Sequence, residues 1–245
     1  GQYFRRFWQP AALSEELPEA DGPPIRLTVL GEELVAFRDS DGRVGVVDRR
    51  CPHRGADLFF GRNEECGLRC LYHVWKFDVT GRAVDLPNVP AGVRHHETVR
   101  LKAYPVREFG EIIWVYMGPE AGALPEVPQL EFGLMTADHR FVTKQLMACN
   151  WAQCMEGDLD TSHFSFLHMP APQVPSNENP DAPADERRLK WIRKDPMPKF
   201  SILDHDVGFV VGGARATDEA DEAYWRITQY SLPANGTGPS TLPGE

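Results

Sequence analysis

Between Ile25 and Met117 apolar and polar residues alternate in short runs broken by Gly, Pro and Asp. That is the period-two signature of strands rather than the 3.6-residue period of helices. IRLTVL, ELVAFRD and VGVVD read as three strands, with SDGR between the last two as a hairpin turn. WKFDVTGRAV reads as another hairpin around Thr80-Gly81, and VRLKAYPVREF and IIWVYMG complete the run. Short strands with Gly/Pro turns make a small all-β domain, placed at 23–118. Ahead of it, residues 1–22 carry Tyr3, Phe4, Phe7 and Trp8 at helical spacing and then an acidic stretch ending in DGPP. This segment is expected to dock on the later domain.

Gly118–Glu131 is Pro/Gly-rich and reads as a linker, leaving 119–245 as a second domain. In it HRFVTKQLMA reads as a strand and the stretch from Asn150 to about His163 as a helix, with Asn150 as N-cap and Pro170 closing the segment. Residues 170–188, rich in Pro, Asn and Asp, read as a mobile loop. KFSILDHD, VGFVVGGARAT and AYWRITQYSL read as consecutive antiparallel strands, and PANGTGPSTLPGE as a terminal loop. The fold class is therefore α+β, an all-β domain followed by one with an antiparallel sheet and helices.

Composition narrows the function. A chain of 245 residues with 42% hydrophobic content can bury two ordinary cores. The net charge of −10 argues against nucleic acid or an anionic membrane as the main partner. No apolar run approaches the length of a membrane span. The start, GQYFRRFWQP, lacks a signal-peptide layout and a Met, so a trimmed or incomplete N-terminus is expected.

The chemistry is concentrated in CPHRGADLFFGRNEECGLRCLYHVWKFD, from Cys51 to Asp78. Cys51-x-His53 is followed after sixteen residues by Cys70-x-x-His73. Two Cys and two His suit a tetrahedral zinc, but each loop here supplies one of each, whereas a common zinc finger gives a Cys pair and then a His pair. A [2Fe–2S] cluster with two His on one iron needs that mixed supply. Cys51 and Cys70 would hold the inner iron, His53 and His73 the outer one. Pro52 stiffens the first loop, Gly55 and Gly67 allow close backbone, and Tyr72, Trp75 and Phe77 offer apolar cover. Of the five cysteines, Cys66, Cys149 and Cys154 remain as free thiols, which fits a reducing cytoplasm.

This stretch resembles the Rieske motif in the wording of the Rieske oxygenases. One position departs: the family usually has Gly after the second His, and this chain has Val74. If that Gly uses positive φ, a β-branched residue there is strained.

Further on, Asp160-x-x-His163 is followed by His168. On a helix Asp160 and His163 share a face, and His168 can join them if the helix ends between the two histidines. Two His and a carboxylate with open positions make the facial triad of non-haem Fe(II) oxygenases, although the spacing alone is a weak signal. Asp158 is a competing acid that a helix would aim elsewhere; Asn150 and Glu156 read as cap and surface. With the Rieske motif upstream, NW…EGDLDTSHFSFLH makes nearly the whole chain similar to the phthalate 4,5-dioxygenase-like oxygenase (alpha) components. The resemblance implies a helix-grip-like catalytic domain, His163 and His168 as mononuclear iron ligands, and Asp160 as the acid that relays electrons between subunits of a trimer. It also implies a third ligand, an Asp on a C-terminal helix. No such helix follows Asp221, and Asp204 and Asp206 are poor substitutes, so the catalytic domain is expected to be incomplete at the C-terminus.

The implied reaction uses O2 and electrons from a flavin and ferredoxin-type reductase to hydroxylate an aromatic substrate, with an aromatic acid favoured. Strand alternation aims Tyr224, Arg226 and Thr228 at one face, and Arg226 is the candidate for a substrate carboxylate. An O-demethylase or monooxygenase acting on an aromatic ether, an electron carrier without oxygenase activity, and a non-catalytic subunit are the competing readings.

Overall fold

The computed structural model describes residues 1–90, 92–119, 123–168 and 184–238, which form two compact units, Gly1–Leu146 and Met147–Glu245. Among the described residues no helix is long and apolar enough to cross a membrane.

In the first unit β1 is Trp8–Leu13, β2 Ile25–Val29, β3 Glu32–Arg38 and β4 Val44–Asp48. Three short strands follow, β5 (Arg62–Glu64), β6 (Gly67–Arg69) and β7 (Lys76–Phe77), then β8 (Ala83–Asp85) and a one-turn helix α1 (His95–Thr98). The unit continues with β9 (Ala103–Tyr104), β10 (Val106–Phe109), β11 (Ile112–Tyr116) and a second one-turn helix, α2 (Glu131–Leu134). They make sheets ordered β2-β3-β4-β9, β5-β6-β7-β8 and β1-β11-β10. The expected hairpins at SDGR and Thr80-Gly81 are present. Fully buried Asp39 accepts the Asp41 and Arg43 amides in the first, and Asp78 accepts the Thr80 and Arg82 amides in the second.

Strands β3 and β4 are buried on both faces, so successive residues enter different cores. Val35, Phe37 and Val47 join the core that contains Cys51 and Cys70, while Leu34, Ala36 and Val46 join a second core with Ala12, Ile113 and Val115. Two-sided burial explains why ELVAFRD reads as a continuous apolar run rather than a clean alternation.

The docking expected of the N-terminal segment gives way to strand pairing. β1 runs antiparallel to β11, Trp8 opposite Tyr116 and Leu13 opposite Ile112, and so builds the first unit itself. Residues 118–131 are likewise not a spacer: Leu124, Val127 and Leu130 pack on Trp8, Trp114 and Tyr116, and the Trp8 indole donates to the Pro125 carbonyl at 2.8 Å. The two compact units divide after Leu146. HRFVTKQLMA forms no strand; Phe141 and Leu146 are 90% and 97% exposed, and no described strand supplies the ladder it would need.

The second unit is one sheet, β12 (Lys199–His205), β13 (Gly208–Ala216), β14 (Ala223–Ser231) and β15 (Asn235–Thr237), in sequential antiparallel order. β15 falls within the stretch expected to be a loop. Helix α3 (Trp151–Leu159) begins at Asn150, whose side chain accepts the Ala152 amide at 2.9 Å as an N-cap should. Helix α4 (Ala184–Lys194) occupies the end of the expected loop; 169–183, including Pro170, lie outside the described residues. Along β14 the even-numbered residues are the covered ones, ending in buried Thr228 and Tyr230, while Trp225 and Ile227 are half-exposed.

Candidate iron sites

The first cluster loop leaves β4 and the second leaves β6, and the two close by the same pair of backbone bonds. The Cys51 amide donates to the Ala56 carbonyl and the Gly55 amide to the Cys51 carbonyl, at 2.9 and 2.8 Å. The Cys70 amide donates to the Trp75 carbonyl and the Val74 amide to the Cys70 carbonyl, at 2.8 and 3.1 Å. Gly55 and Val74 are therefore equivalent, and both are left-handed, with φ of 71° and 64°. Glycine adopts that geometry freely, whereas a β-branched residue there is a strained outlier. The strained loop is held from outside: the Arg69 guanidinium donates to the Val74 carbonyl and pairs with Asp85.

Cys51 and Cys70 are 2% and 3% exposed, at the edge of the apolar core. Burial pushes the Cys51 thiol up to about 11, and the neighbouring Cys70 thiol adds to the shift, so a bound cation must stabilise the thiolate. The His53 and His73 rings lie 4.4 Å apart, and each has a buried Nδ1 with no hydrogen-bond partner. Burial, then His73 and Arg54, lower the pKa of His53 and keep it in the neutral form that ligates. Orphaned ring nitrogens beside two buried thiols fit the donor set of a cluster with one Cys₂ and one His₂ iron. A single zinc would draw its donors to roughly 3–4 Å of one another. Among the described residues only Asp39, Asp41 and Cys66 bring three such donors within 4.8 Å of one another, so the four motif residues are not gathered on one point.

Trp75 supplies the cover, stacking on His53 at 4.2 Å and 8° and donating to Asn88. Phe77 is fully buried in the same core. Tyr72 is 65% exposed, its ring 4.0 Å from that of His73, so it shields the histidine from outside rather than lining the core. Asp57 closes the first loop, accepting from Phe59 and pairing with Arg49 and Arg26. Burial opposes its ionisation, but these partners outweigh it and hold the carboxyl at about 2.

In the second unit the helix stops sooner than expected. α3 ends at Leu159 and Asp160 is its extended C-cap, so Asp160 and His163 do not meet on a helical face. An Asx turn joins them instead. Asp160 Oδ1 accepts the Ser162 amide and hydroxyl at 2.7 and 2.5 Å, and Oδ2 accepts the His163 amide at 3.2 Å and faces its Nδ1 at the same distance. Burial alone would raise the Asp160 carboxyl, but the bonds from Ser162 and His163 prevail and hold it below its usual range. A 3-10 turn over His163–Ser165 then carries the chain round, leaving the His163 and His168 rings 5.1 Å apart with Phe164 beside both.

These residues line a cavity of about 430 Å³ together with Asp158, Thr161, Arg226 and Thr228. Asp158 thus faces the cavity from the last turn of α3, contrary to the direction expected of it, whereas Asp204 and Asp206 do not line it. The Arg226 guanidinium sits 4.1 Å from the centre of the Phe164 ring, and its buried Nε has no partner. Two imidazoles, an oriented carboxylate and a cation on an aromatic ring suit a divalent metal beside an anionic ligand. The sequence reading missed Phe164, Thr161 and Arg215. Arg215 was signalled as a charged residue in the otherwise apolar strand VGFVVGGARA, and it is 1% exposed.

Residues 7–105 match the Rieske [2Fe-2S] domain family and residues 115–241 the LigXa C-terminal domain like family. The chain is 41% identical to a 3-chlorobenzoate-3,4-dioxygenase oxygenase subunit of Comamonas testosteroni, over 95% of this chain and 52% of that protein. It is 40% identical to a phthalate 4,5-dioxygenase oxygenase subunit of Pseudomonas putida, over 98% and 54%. The chain thus spans about half the length of the curated relatives it matches. The fold is similar to that of dicamba monooxygenase bound to dicamba, with a TM-score of 0.70 at 23% identity over 95% of this chain and 65% of that one.

Proposed function

The chain belongs to the Rieske non-haem iron oxygenases of the phthalate 4,5-dioxygenase-like group, with a [2Fe–2S] cluster and a mononuclear iron as cofactors, and on that premise we propose that it serves as the oxygenase component of a system hydroxylating an aromatic acid. Cys51 and Cys70 hold one iron of the cluster and His53 and His73 the other; His163 and His168 hold the mononuclear iron. When bound, these groups pass single electrons and activate dioxygen for insertion into the substrate.

The protein's own residues set the conditions. Trp75 keeps His53 in place and water away from the buried thiols. Asp160 fixes the ring of His163 through Nδ1, leaving Nε2 to point away from the carboxylate. Asp160 is also the acid through which a neighbouring subunit's cluster histidine makes contact in a trimer, and an external flavin and iron–sulfur reductase in the reducing cytoplasm supplies the electrons. Arg226, its guanidinium over Phe164 and its Nε unsatisfied, takes the substrate carboxylate and turns the ring toward the histidines.

The observation that carries this reading is the cavity that brings Asp160, His163, His168 and Arg226 together in a chain that also holds the Cys₂His₂ loops. Oxygen uptake by the full-length protein with reductase, dependent on an aromatic acid and accompanied by an oxygenated product, is the expected result. Cluster reduction without substrate-dependent uptake would leave an electron carrier; uptake with aromatic ethers but not acids would favour an O-demethylase.

A further inference from the structure

Arg215 has a chemistry that the cavity itself does not explain. It is 1% exposed, and among the described residues no carboxylate pairs with it. A buried guanidinium without a salt bridge is costly: burial, then repulsion from Arg226, lower its pKa and outweigh the attraction of Tyr224, Asp195 and Asp160. Among the described residues its hydrogen bonds go to two backbone carbonyls and one hydroxyl. Nη2 donates to the Thr161 carbonyl at 2.5 Å, Nη1 to Thr161 Oγ1 at 3.2 Å, and Nε to the Asp195 carbonyl at 3.1 Å.

Asp195 follows α4, and its own carboxylate accepts the Ala216 amide at 2.9 Å, so the end of that helix is pinned to β13 beside the arginine. Thr161 is 4% exposed and stands between Asp160 and Ser162, inside the Asx turn that aims His163. Its methyl fills the hollow over Gly213: a Cβ on that glycine would stand 2.3 Å from Thr161 Cγ2. One strand therefore offers the turn both an apolar seat and, two residues on, a two-pronged clamp. Arg226, opposite Gly213 on β14, lies beside the same seat.

We propose that Arg215 is a positioning residue of the mononuclear iron site, locking the Asp160–His163 turn to β13 through Thr161. It touches no reacting atom. It fixes the backbone between the relay acid and the first histidine, and so sets where the two imidazoles stand before metal binds. The inference rests on the assignment of His163 and His168 as iron ligands.

The test measures Fe(II) affinity of the second site in the full-length protein stripped of its mononuclear iron, read by the EPR signal of the nitric oxide adduct. Acid-labile sulfide and thermal melting are followed alongside. Arg215→Met is expected to weaken Fe(II) binding by roughly 10–100-fold, as loss of a residue that orients a ligand does, with sulfide unchanged. Arg215→Lys, which reaches one Thr161 acceptor but not both, is expected to recover part of the loss. Thr161→Val, which replaces the hydroxyl with a methyl, is expected to weaken binding a few-fold, with little change in melting. Should Arg215→Met fail to fold, Arg215→Lys and Thr161→Val decide. Variants that melt lower while their folded fraction binds Fe(II) like wild type would reduce Arg215 to a fold-stabilising residue and overturn the proposal. Wild-type protein that takes up no iron beyond the cluster would instead refute the assignment of the second site, and the proposal would fall with it.

Discussion

The two candidate iron sites are held in place by different means. At the cluster end each loop is closed by backbone bonds over six residues, and the cysteines that anchor it are part of the apolar core. The second site sits on a single sheet, and its acid and histidine meet through side chains: an Asx turn, a buried arginine and a threonine over a glycine. Loops closed by local backbone bonds tolerate one unfavourable residue, as Val74 shows. A site built by convergence of side chains from distant elements has no such reserve, so each support carries a larger share of the geometry.

That contrast predicts opposite patterns of damage. Cys51→Ser is expected to have the largest effect: sulfide falls from about two per chain to none, and a buried, unpaired His53–His73 end lowers the melting temperature of the first unit by more than ten degrees. Sulfide and calorimetric assays read this directly. His163→Ala should do the reverse. The cluster absorption and about two sulfides persist, melting moves little, and kcat/KM drops on the order of 100-fold or more as the third iron is lost. If His163→Ala also strips the cluster, the two sites are not independent in the way described.

Smaller effects sharpen the comparison. Arg226→Ala is expected to raise KM for an aromatic acid by roughly 10–100-fold, the value of one charged hydrogen-bonded contact, and to leave a neutral aromatic ether almost unaffected. An unchanged KM for the acid would remove Arg226 from substrate binding. At the cluster end, Asp57 titrates at about 2 when folded against an ordinary 3.8, so its network stabilises fully above pH ~4 and is lost as the pH falls through 2. Solvent screening leaves this at about 1 kcal/mol. The stability gap between wild type and Asp57→Asn should therefore narrow between pH 6 and pH 3. Val74→Gly should raise stability by up to about 1 kcal/mol, the relief of left-handed strain less the added chain entropy. A lower melting temperature for that variant would mean that the valine side chain contributes packing that outweighs the strain.

Strands β2–β4 and β7–β11, the two hairpins and the Asn150 cap were legible along the chain, and the Cys/His spacing marked the cluster loops. Each depends on residues a few positions apart, whose alternation, turn chemistry or ligand spacing survives in the sequence. Even the strain at Val74 was foreseeable, because a positive φ follows from the loop and β-branching opposes it. The sequence by itself thus determined most strands of the first unit, its turns and the residue spacing of the cluster loops.

Only the tertiary structure decided what met at long range. Trp8 pairs with Tyr116, and Pro125 accepts its indole across 117 residues, so the supposed docking segment and linker both belong to the first unit. HRFVTKQLMA has strand composition but no described neighbour to complete its hydrogen bonds. Asp160 reached His163 because the helix ended at Leu159 rather than near His163 and the Asp160 carboxylate captured the next amides, and Arg215 took its place under Thr161 from a strand more than fifty residues away. Periodicity records which side of an element is buried; it does not record which distant element buries it, because that choice is made by packing and by the need of every buried polar group for a partner.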